Sequence, residues 1–170
     1  ITVDSSGENS IVVAPGSNAN LLKEDIPSKI FETGKFGILL LQLEIPVTTV
    51  EYSVITASEN NIKVILNPAP ALNLSDNMLN HTWLITPNET EAEILTGIRV
   101  HDTTSAGIAA TSLQNKGVKN VIITMGASGA FIKSGNFTGM VPGVKVNAVD
   151  TTAAGDIFNG ALAVALAEGK

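Results

Sequence analysis

The feature that most constrains the fold is the alternation of short apolar runs with segments of helical periodicity. Residues 38–43, 62–66, 83–85 and 121–124 are runs dominated by Ile, Leu and Val, and we expect 38–43 to be buried on both faces. Helices are predicted from the residue after Pro46, over about 89–95, over 104–116 and over 154–167. Strands and helices that alternate in this way form βαβ units. The sequence therefore predicts an α/β fold with a doubly wound, mostly parallel sheet between two layers of helices.

Two hairpins are predicted outside this alternation. Residues 1–3 and 10–13 are β-formers on either side of the turn-forming residues 4–9. Residues 130–133 form a strand that pairs with a later segment of the chain. The predicted sheet is therefore mostly parallel, with an antiparallel hairpin that begins at residues 130–133.

Four residues lie within three positions after predicted strands, namely Glu44, Asn67, Asn88 and Gly126. Ligands of parallel sheets bind beyond the carboxyl ends of the strands. We therefore expect these residues to mark the edge of the sheet that carries the functional site.

Composition excludes several classes of protein. A chain of 170 residues with 44% hydrophobic and 15% charged residues is typical of one soluble globular domain. The net charge of −6 argues against a nucleic-acid partner, because phosphate backbones are bound by clustered Lys and Arg. Cysteine is absent, which is compatible with a reducing cytosol, and the apolar run 161–167 is far shorter than a membrane span of about 20 residues. We expect a cytoplasmic protein without a membrane partner.

The segment 150–156, Asp-Thr-Thr-Ala-Ala-Gly-Asp, leads into the last predicted helix and is the strongest candidate for a site. First-turn N–H groups and the helix dipole attract anions, so Ala154, Gly155 and Asp156 are candidates for an anion hole. The Asp156 carboxylate is in addition a candidate proton acceptor, and the two features together suit phosphoryl transfer to a hydroxyl. The simpler alternative is an acid that only stabilises its helix, by about 0.3–1 kcal/mol, beside an ordinary turn glycine.

Two further motifs each have a structural and a functional interpretation. Asn88 with Glu91 three residues later is a capping box, which explains both residues without a ligand. The glycine-rich segment 124–129 follows a strand and precedes another strand. It is therefore neither a Walker loop nor a Rossmann turn, and a plain hairpin is the alternative to a nucleotide loop.

Taken in order, the segments 67–71, 86–93, 124–129 and 150–156 resemble the ribokinase family of sugar kinases, the PfkB group. The resemblance extends from about Gly7 to the last residue. It implies a ribokinase-like three-layer fold and ATP-dependent transfer of a phosphoryl group to the 5-hydroxyl of D-ribose, with Mg²⁺ and with K⁺ as activator. Another sugar or nucleoside kinase of the family, or a nucleotide-binding fragment without catalysis, remains the alternative.

The resemblance also implies a role for individual residues. The catalytic residues are Asp156 as general base with Gly155, Ala154 and Ala153. The sugar is bound by Glu44 and Asp156. The nucleotide is bound by Asn88, Thr124, Met125, Gly126, Ala127, Ser128, Gly129, Gly155 and Asp156. Metal ions are held by Glu91, which orders Mg²⁺ through water, and by Asp150 and the Thr152 carbonyl, which match part of a monovalent-cation site. The family usually has leucine at the position of Met125.

Both ends of the sequence look cut, because Ile1 falls in mid-strand and Lys170 directly follows a helix. The resemblance then implies that a sugar-clamping Gly-Gly-Lys motif precedes Ile1, that adenine and cation ligands follow Lys170, and that the fragment alone is inactive. We expect residues 1–170 to form one domain, with 1–13 as a remnant of the lid through which the intact enzyme forms a homodimer. The expected partners are a sugar and ATP.

Four other residues receive structural interpretations. Asn67 is either near magnesium or a cap of its strand end, and the cap is favoured. His81 and His101 are isolated and lack the spacing of metal ligands, and Trp83 is expected in the core.

Overall fold

The computed structural model describes residues 2–3, 9–10, 12–32, 37–147 and 151–170. Six strands form the main sheet in the order β3-β4-β5-β6-β7-β8, and β1 pairs with β2 in a separate two-stranded sheet. The strands are β1 (Thr2–Val3), β2 (Asn9–Ser10), β3 (Ile38–Leu41), β4 (Lys63–Leu66), β5 (Leu84–Ile85), β6 (Asn120–Thr124), β7 (Gly129–Lys133) and β8 (Thr138–Pro142).

The sheet is parallel over its first four strands and antiparallel over the last two. Ile38 pairs with Lys63 across β3 and β4, and the pairs β4–β5 and β5–β6 are also parallel. β7 runs antiparallel to both β6 and β8. The predicted mostly parallel sheet with a hairpin after β6 is confirmed.

In the described part of the chain, four α-helices connect the parallel strands and a fifth follows β8. They are α1 (Val47–Glu59), α2 (Asp76–His81), α3 (Glu89–Thr96), α4 (Thr103–Asn115) and α5 (Ala154–Ala167). Gly97 adopts a φ of 74° at the end of α3, a backbone conformation that favours glycine, so the chain leaves the helix there. The helix α2 and the 3₁₀ turns are not predicted. A helix of six residues is too short to show a period, although Ser75 caps α2 by accepting the Met78 N–H at 3.0 Å.

The sheet separates two apolar clusters. Val64 and Leu66 of β4 face the larger cluster, which includes residues of α1, α3 and α4. Ile65, between them, faces the opposite way and packs with Phe158 and Leu162 of α5. Helices therefore cover both faces of the sheet, and the predicted three-layer architecture is confirmed.

β3 differs from the prediction in length and in burial. It ends at Leu41 instead of 43, and its residues are half-buried except Leu40, which is exposed at 36%. The physical reason is that β3 lies at the end of the strand order, with β4 as its one neighbour in the described part of the main sheet. The prediction of a strand buried on both faces is wrong for this reason.

The amino-terminal hairpin is present over a short stretch. Thr2 pairs with Ser10 and Val3 pairs with Asn9, in antiparallel register. The predicted turn residues 4–8 and Ile11 lie outside the described residues. In the part of the chain that the structure describes, no helix is long and apolar enough to cross a membrane.

Candidate functional site

The first turn of α5 meets the segment that follows β3. Asp156 lies in this turn and is exposed, and its Oδ1 accepts a hydrogen bond of 2.6 Å from the Nε2 of Gln42. Glu44 is exposed two residues after Gln42, and the Leu43 N–H between them donates to the Ala69 carbonyl at 2.9 Å. The structure thus joins the candidate base to the strand end that carries the candidate sugar ligand.

The turn into α5 is built from backbone rather than from a side-chain cap. Ala153 has a φ of 60°, in the left-handed region, and its side chain caps nothing. The Ala154 N–H donates to the Thr151 carbonyl at 3.1 Å, and the Ile157 N–H begins the helical pattern on the Ala153 carbonyl. Of the three amides predicted to hold an anion, that of Ala154 is therefore engaged within the turn.

Gly155 faces open space. A Cβ built at this residue has no heavy atom within 4 Å outside its own helix neighbourhood. The packing of the protein therefore does not require glycine at this position, and the Gly155 and Asp156 amides belong to the first helical turn, which has no acceptors for them within the helix.

Two residues that the sequence analysis missed connect α5 to the sheet. The Thr86 hydroxyl, just after β5, donates to the Asn159 Oδ1 at 2.6 Å, and the Asn159 Nδ2 donates to the Gly155 carbonyl at 2.9 Å. Both side chains belong to buried residues. The available signal was a polar Asn four residues after Gly155, in a helix whose one other polar side chain is that of Asp156.

The capping box at the start of α3 is present. The Glu91 N–H donates to the Asn88 Oδ1 at 2.8 Å, and the Asn88 N–H donates to the Glu91 Oε2 at 2.9 Å. Burial raises the pKa of the Glu91 carboxyl, and the hydrogen bond from the Asn88 backbone acts in the opposite direction. The cap thus accounts for both residues structurally and leaves the remaining atoms of the two side chains for other contacts.

The glycine turn after β6 lies beside Asn88. Thr124 forms a parallel bridge with Asn88, and the Thr124 N–H donates to the Pro87 carbonyl at 2.9 Å. The chain then forms a 3₁₀ turn over Gly126–Ser128. The Met125 N–H donates a hydrogen bond of 2.8 Å across this turn to the Gly129 carbonyl. The two predicted nucleotide segments are therefore adjacent.

The contacts and burial of the remaining four residues support structural roles. Asn67 is buried at the end of β4, where its N–H donates to the Leu41 carbonyl at 2.9 Å. The His81 Nδ1 lies 2.8 Å from the Asn77 carbonyl oxygen. The His101 Nε2 lies 3.6 Å from the Asp102 Oδ2 on the surface. Trp83 is half-buried against the α5 side of the sheet.

Among the described residues, no group of three or more His, Cys, Asp or Glu is arranged to hold a metal ion. Asp150 lies outside the described residues, and Thr152 lies in the turn before α5.

The fold defines the class of the protein, an α/β protein, and the candidate site consists of the polar residues after β3, β5 and β6 together with the start of α5. Solved structures with this fold include ribokinase from Thermotoga maritima, with a TM-score of 0.86 and 42% identity, covering 99% of this chain and 55% of that chain. The ribokinase of Arabidopsis thaliana, solved with ribose and ATP, has a TM-score of 0.85 and 29% identity, covering 99% of this chain and 55% of that chain.

The sequence comparisons agree with the structural ones. The ribokinase of Haemophilus influenzae is 46% identical over 170 residues, covering all of this chain and 56% of that protein. The model of the pfkB family carbohydrate kinases matches residues 1–170, so the chain belongs to this family. The chain spans about half the length of the relatives it matches.

Proposed function

We propose that this chain supplies the phosphoryl-transfer edge of an ATP-dependent ribokinase, which converts D-ribose and ATP to ribose 5-phosphate and ADP. The observation that carries the proposal is the hydrogen bond of 2.6 Å between Gln42 and Asp156. It brings the proposed base to the loop of Glu44, the proposed sugar ligand. The family and its ribokinase relatives support the same reaction.

In the proposed mechanism, Asp156 accepts the proton of the ribose 5-hydroxyl. The hydroxyl oxygen then forms a bond to the γ-phosphorus of ATP, and the bond from that phosphorus to the β,γ-bridging oxygen breaks, releasing ADP. The Gly155 and Asp156 N–H groups and the dipole of the 14-residue helix α5 stabilise the negative charge on the transferred group. The Gln42 amide holds the Asp156 carboxylate beside the end of β3.

The nucleotide is proposed to lie along Asn88 and the segment 124–129. The bridge between Asn88 and Thr124 supports this assignment, because it makes the two segments one continuous surface. The open space at Gly155 would admit the terminal phosphate to the first turn of α5.

Glu91 is proposed to hold Mg²⁺ through water. The donor set fits, because Mg²⁺ keeps several waters and needs few carboxylates, and the half-buried Glu91 has a second oxygen besides the one that caps α3. Bound Mg²⁺ supplies positive charge to the phosphate oxygens. The assignment of K⁺ to Asp150 and the Thr152 carbonyl rests on the family resemblance alone.

The proposal for the whole protein includes its assembly. Residues 1–170 form one domain, the β1–β2 hairpin belongs to a lid, and two copies associate through that lid in the cytoplasm. The antiparallel pairing of Thr2 with Ser10 supports the hairpin.

The decisive test is Asp156→Asn in the complete polypeptide that carries this sequence, assayed for ADP release with D-ribose. Turnover should fall by at least about 100-fold, the low end of the contribution of a general base. Stability should change little, because the Asn oxygen can still accept the Gln42 hydrogen bond.

The matched control is Asp76→Asn, which removes the exposed first-turn acid of α2. It should keep full turnover. If Asp156→Asn and Asp76→Asn have equal turnover, Asp156 only stabilises its helix and the mechanism is wrong.

A second candidate function follows from the coverage of about half of each relative. The 170-residue chain by itself would bind nucleotide without transferring phosphate. A thermal shift with ATP and Mg²⁺, without ADP release on addition of ribose, would identify this case. A panel of pentoses, hexoses and nucleosides, assayed on the complete polypeptide, distinguishes ribose from other acceptors of the family.

A further inference from the structure

A buried chain of hydrogen bonds joins the end of β5 to the first turn of α5. Thr86 is 3% exposed and Asn159 is 4% exposed. The Thr86 hydroxyl donates to the Asn159 Oδ1 at 2.6 Å, and the Asn159 Nδ2 donates to the Gly155 carbonyl at 2.9 Å. Asn159 thus uses both ends of its amide, one on the sheet and one on the turn that contains the proposed anion hole.

Apolar contacts do not hold the first turn of α5 in the same way. The residues of α5 that pack on the sheet begin at Phe158 and continue with Leu162, Ala163 and Leu166. Before them, Gly155 has open space around it, Asp156 is exposed and Ile157 is 71% exposed. The orientation of the first turn therefore depends on polar contacts, and the Asn159 amide supplies a buried one.

The sheet end of this connection is fixed. The Thr86 N–H donates to the Leu66 carbonyl at 3.0 Å, in continuation of the β4–β5 pairing. Two residues later, Asn88 starts α3 and bridges to Thr124. Backbone hydrogen bonds of the sheet therefore fix Thr86 relative to the proposed nucleotide surface.

We propose that Thr86 and Asn159 are positioning residues, which set the first turn of α5 relative to the strand end that leads to Asn88. This inference rests on the proposed function, because the two surfaces that it aligns are the proposed phosphoryl-transfer turn and the proposed nucleotide site. A buried polar pair costs desolvation, and Leu at position 159 would continue the apolar face of α5. The hydrogen bond between Thr86 and Asn159 fixes the orientation of the two groups, which apolar packing does not do.

The chain offers a matched control for a test at Thr86. Thr82 lies at the opposite end of β5, is fully buried, and donates its hydroxyl to the Met78 carbonyl at 2.9 Å. Thr82→Val and Thr86→Val make the same chemical change at similar burial. Each removes one buried hydroxyl, so a purely structural role predicts the same consequences for both.

The experiment measures kcat and KM of the complete polypeptide with ATP and D-ribose. We expect Thr86→Val to lower kcat by about 10- to 100-fold, the scale of a misplaced catalytic group, with a smaller change in KM for ribose. Thr82→Val should retain kcat, and Thr86→Ser should restore most of it because the hydroxyl is kept. Equal kcat for Thr82→Val and Thr86→Val would overturn the inference.

Hydrogen exchange of the backbone amides separates this inference from the proposed function. In Thr86→Val the amides of residues 157–159, whose helical hydrogen bonds run to carbonyls of residues 153–155, should exchange at least tenfold faster than in the parent and in Thr82→Val. If the parent phosphorylates no sugar but the exchange difference is present, the proposed function fails and the positioning role stands. Unchanged exchange in Thr86→Val overturns the positioning role whatever the activity.

Discussion

The two glycine-containing turns of the candidate site differ in what surrounds the glycine. At Gly129 a Cβ would lie 2.1 Å from the Val141 carbonyl oxygen and 2.5 Å from the Gly143 N, and φ is 105°. At Gly155 a Cβ would have no heavy atom within 4 Å. The protein's own backbone therefore requires glycine at position 129, whereas nothing in the described protein atoms requires it at position 155.

The comparison shows that a glycine in a motif has two different explanations. Gly129 lets β7 and β8 approach closely, so the fold alone accounts for it. Gly155 has no such account, and in our proposal the missing neighbour is the transferred phosphate. The starts of the two helices differ as well. Asn88 caps α3 with its side chain, whereas Ala153 provides no side-chain cap for α5.

The largest expected effect is at Gly129. Gly129→Ala should destabilise the protein by about 2–4 kcal/mol, because the new methyl group overlaps backbone atoms and the backbone conformation is disfavoured for alanine. Urea unfolding measures the change. Gly126→Ala is the control, since φ is 51° there but the space is open, and about 1 kcal/mol is expected. Equal losses at the two positions would contradict the crowding at Gly129.

The next effect separates catalysis from stability at Gly155. Gly155→Ala should lower the turnover of the complete polypeptide by about tenfold or more, because the methyl group occupies the approach to the first-turn amides. Stability should rise by about 0.5–1 kcal/mol from helix propensity.

Gly160→Ala is the control for Gly155→Ala. Gly160 lies in the same helix, also with open space, so the stability gain should be similar while turnover stays unchanged. Unchanged turnover in both variants would mean that Gly155 is an ordinary helix residue.

The smallest effect is expected at Ala153, the non-glycine residue with a φ of 60° before α5. Ala153→Gly should relieve about 1 kcal/mol of backbone strain in the folded protein. Part of this gain is lost because glycine increases the conformational entropy of the unfolded chain, so the net gain in stability should be below about 1 kcal/mol. Thermal unfolding measures it. A loss of stability would show that the Ala153 methyl group makes contacts that outweigh the strain.

Local patterns predicted much of the fold. The bounds of α5, 154–167, agree with the sequence prediction, and α3, predicted over about 89–95, ends at Thr96 before Gly97. These features depend on periodicity and on single residues with strong backbone preferences. The edge position of β3 could not be predicted in this way, because a sequence does not state which strands are neighbours.

The contacts of the candidate site were predicted less completely. Gln42 and Asp156 are 114 residues apart, and Thr86 and Asn159 are 73 residues apart, so no local pattern relates them. The capping box of Asn88 and Glu91 was predictable because its residues are three apart. The catalytic, nucleotide and metal roles of the motif residues remain predictions for the experiments above.

In the sheet formed by the described residues, the two border strands have opposite consequences for the behaviour of this polypeptide in solution. β8 ends in Pro142, which has no N–H to offer to a further strand. β3 carries no proline, and the exposed Leu40 lies on it. Such a border recruits extended segments from other molecules. Concentrated preparations of the 170-residue chain should therefore associate through β3, and light scattering should grow with protein concentration.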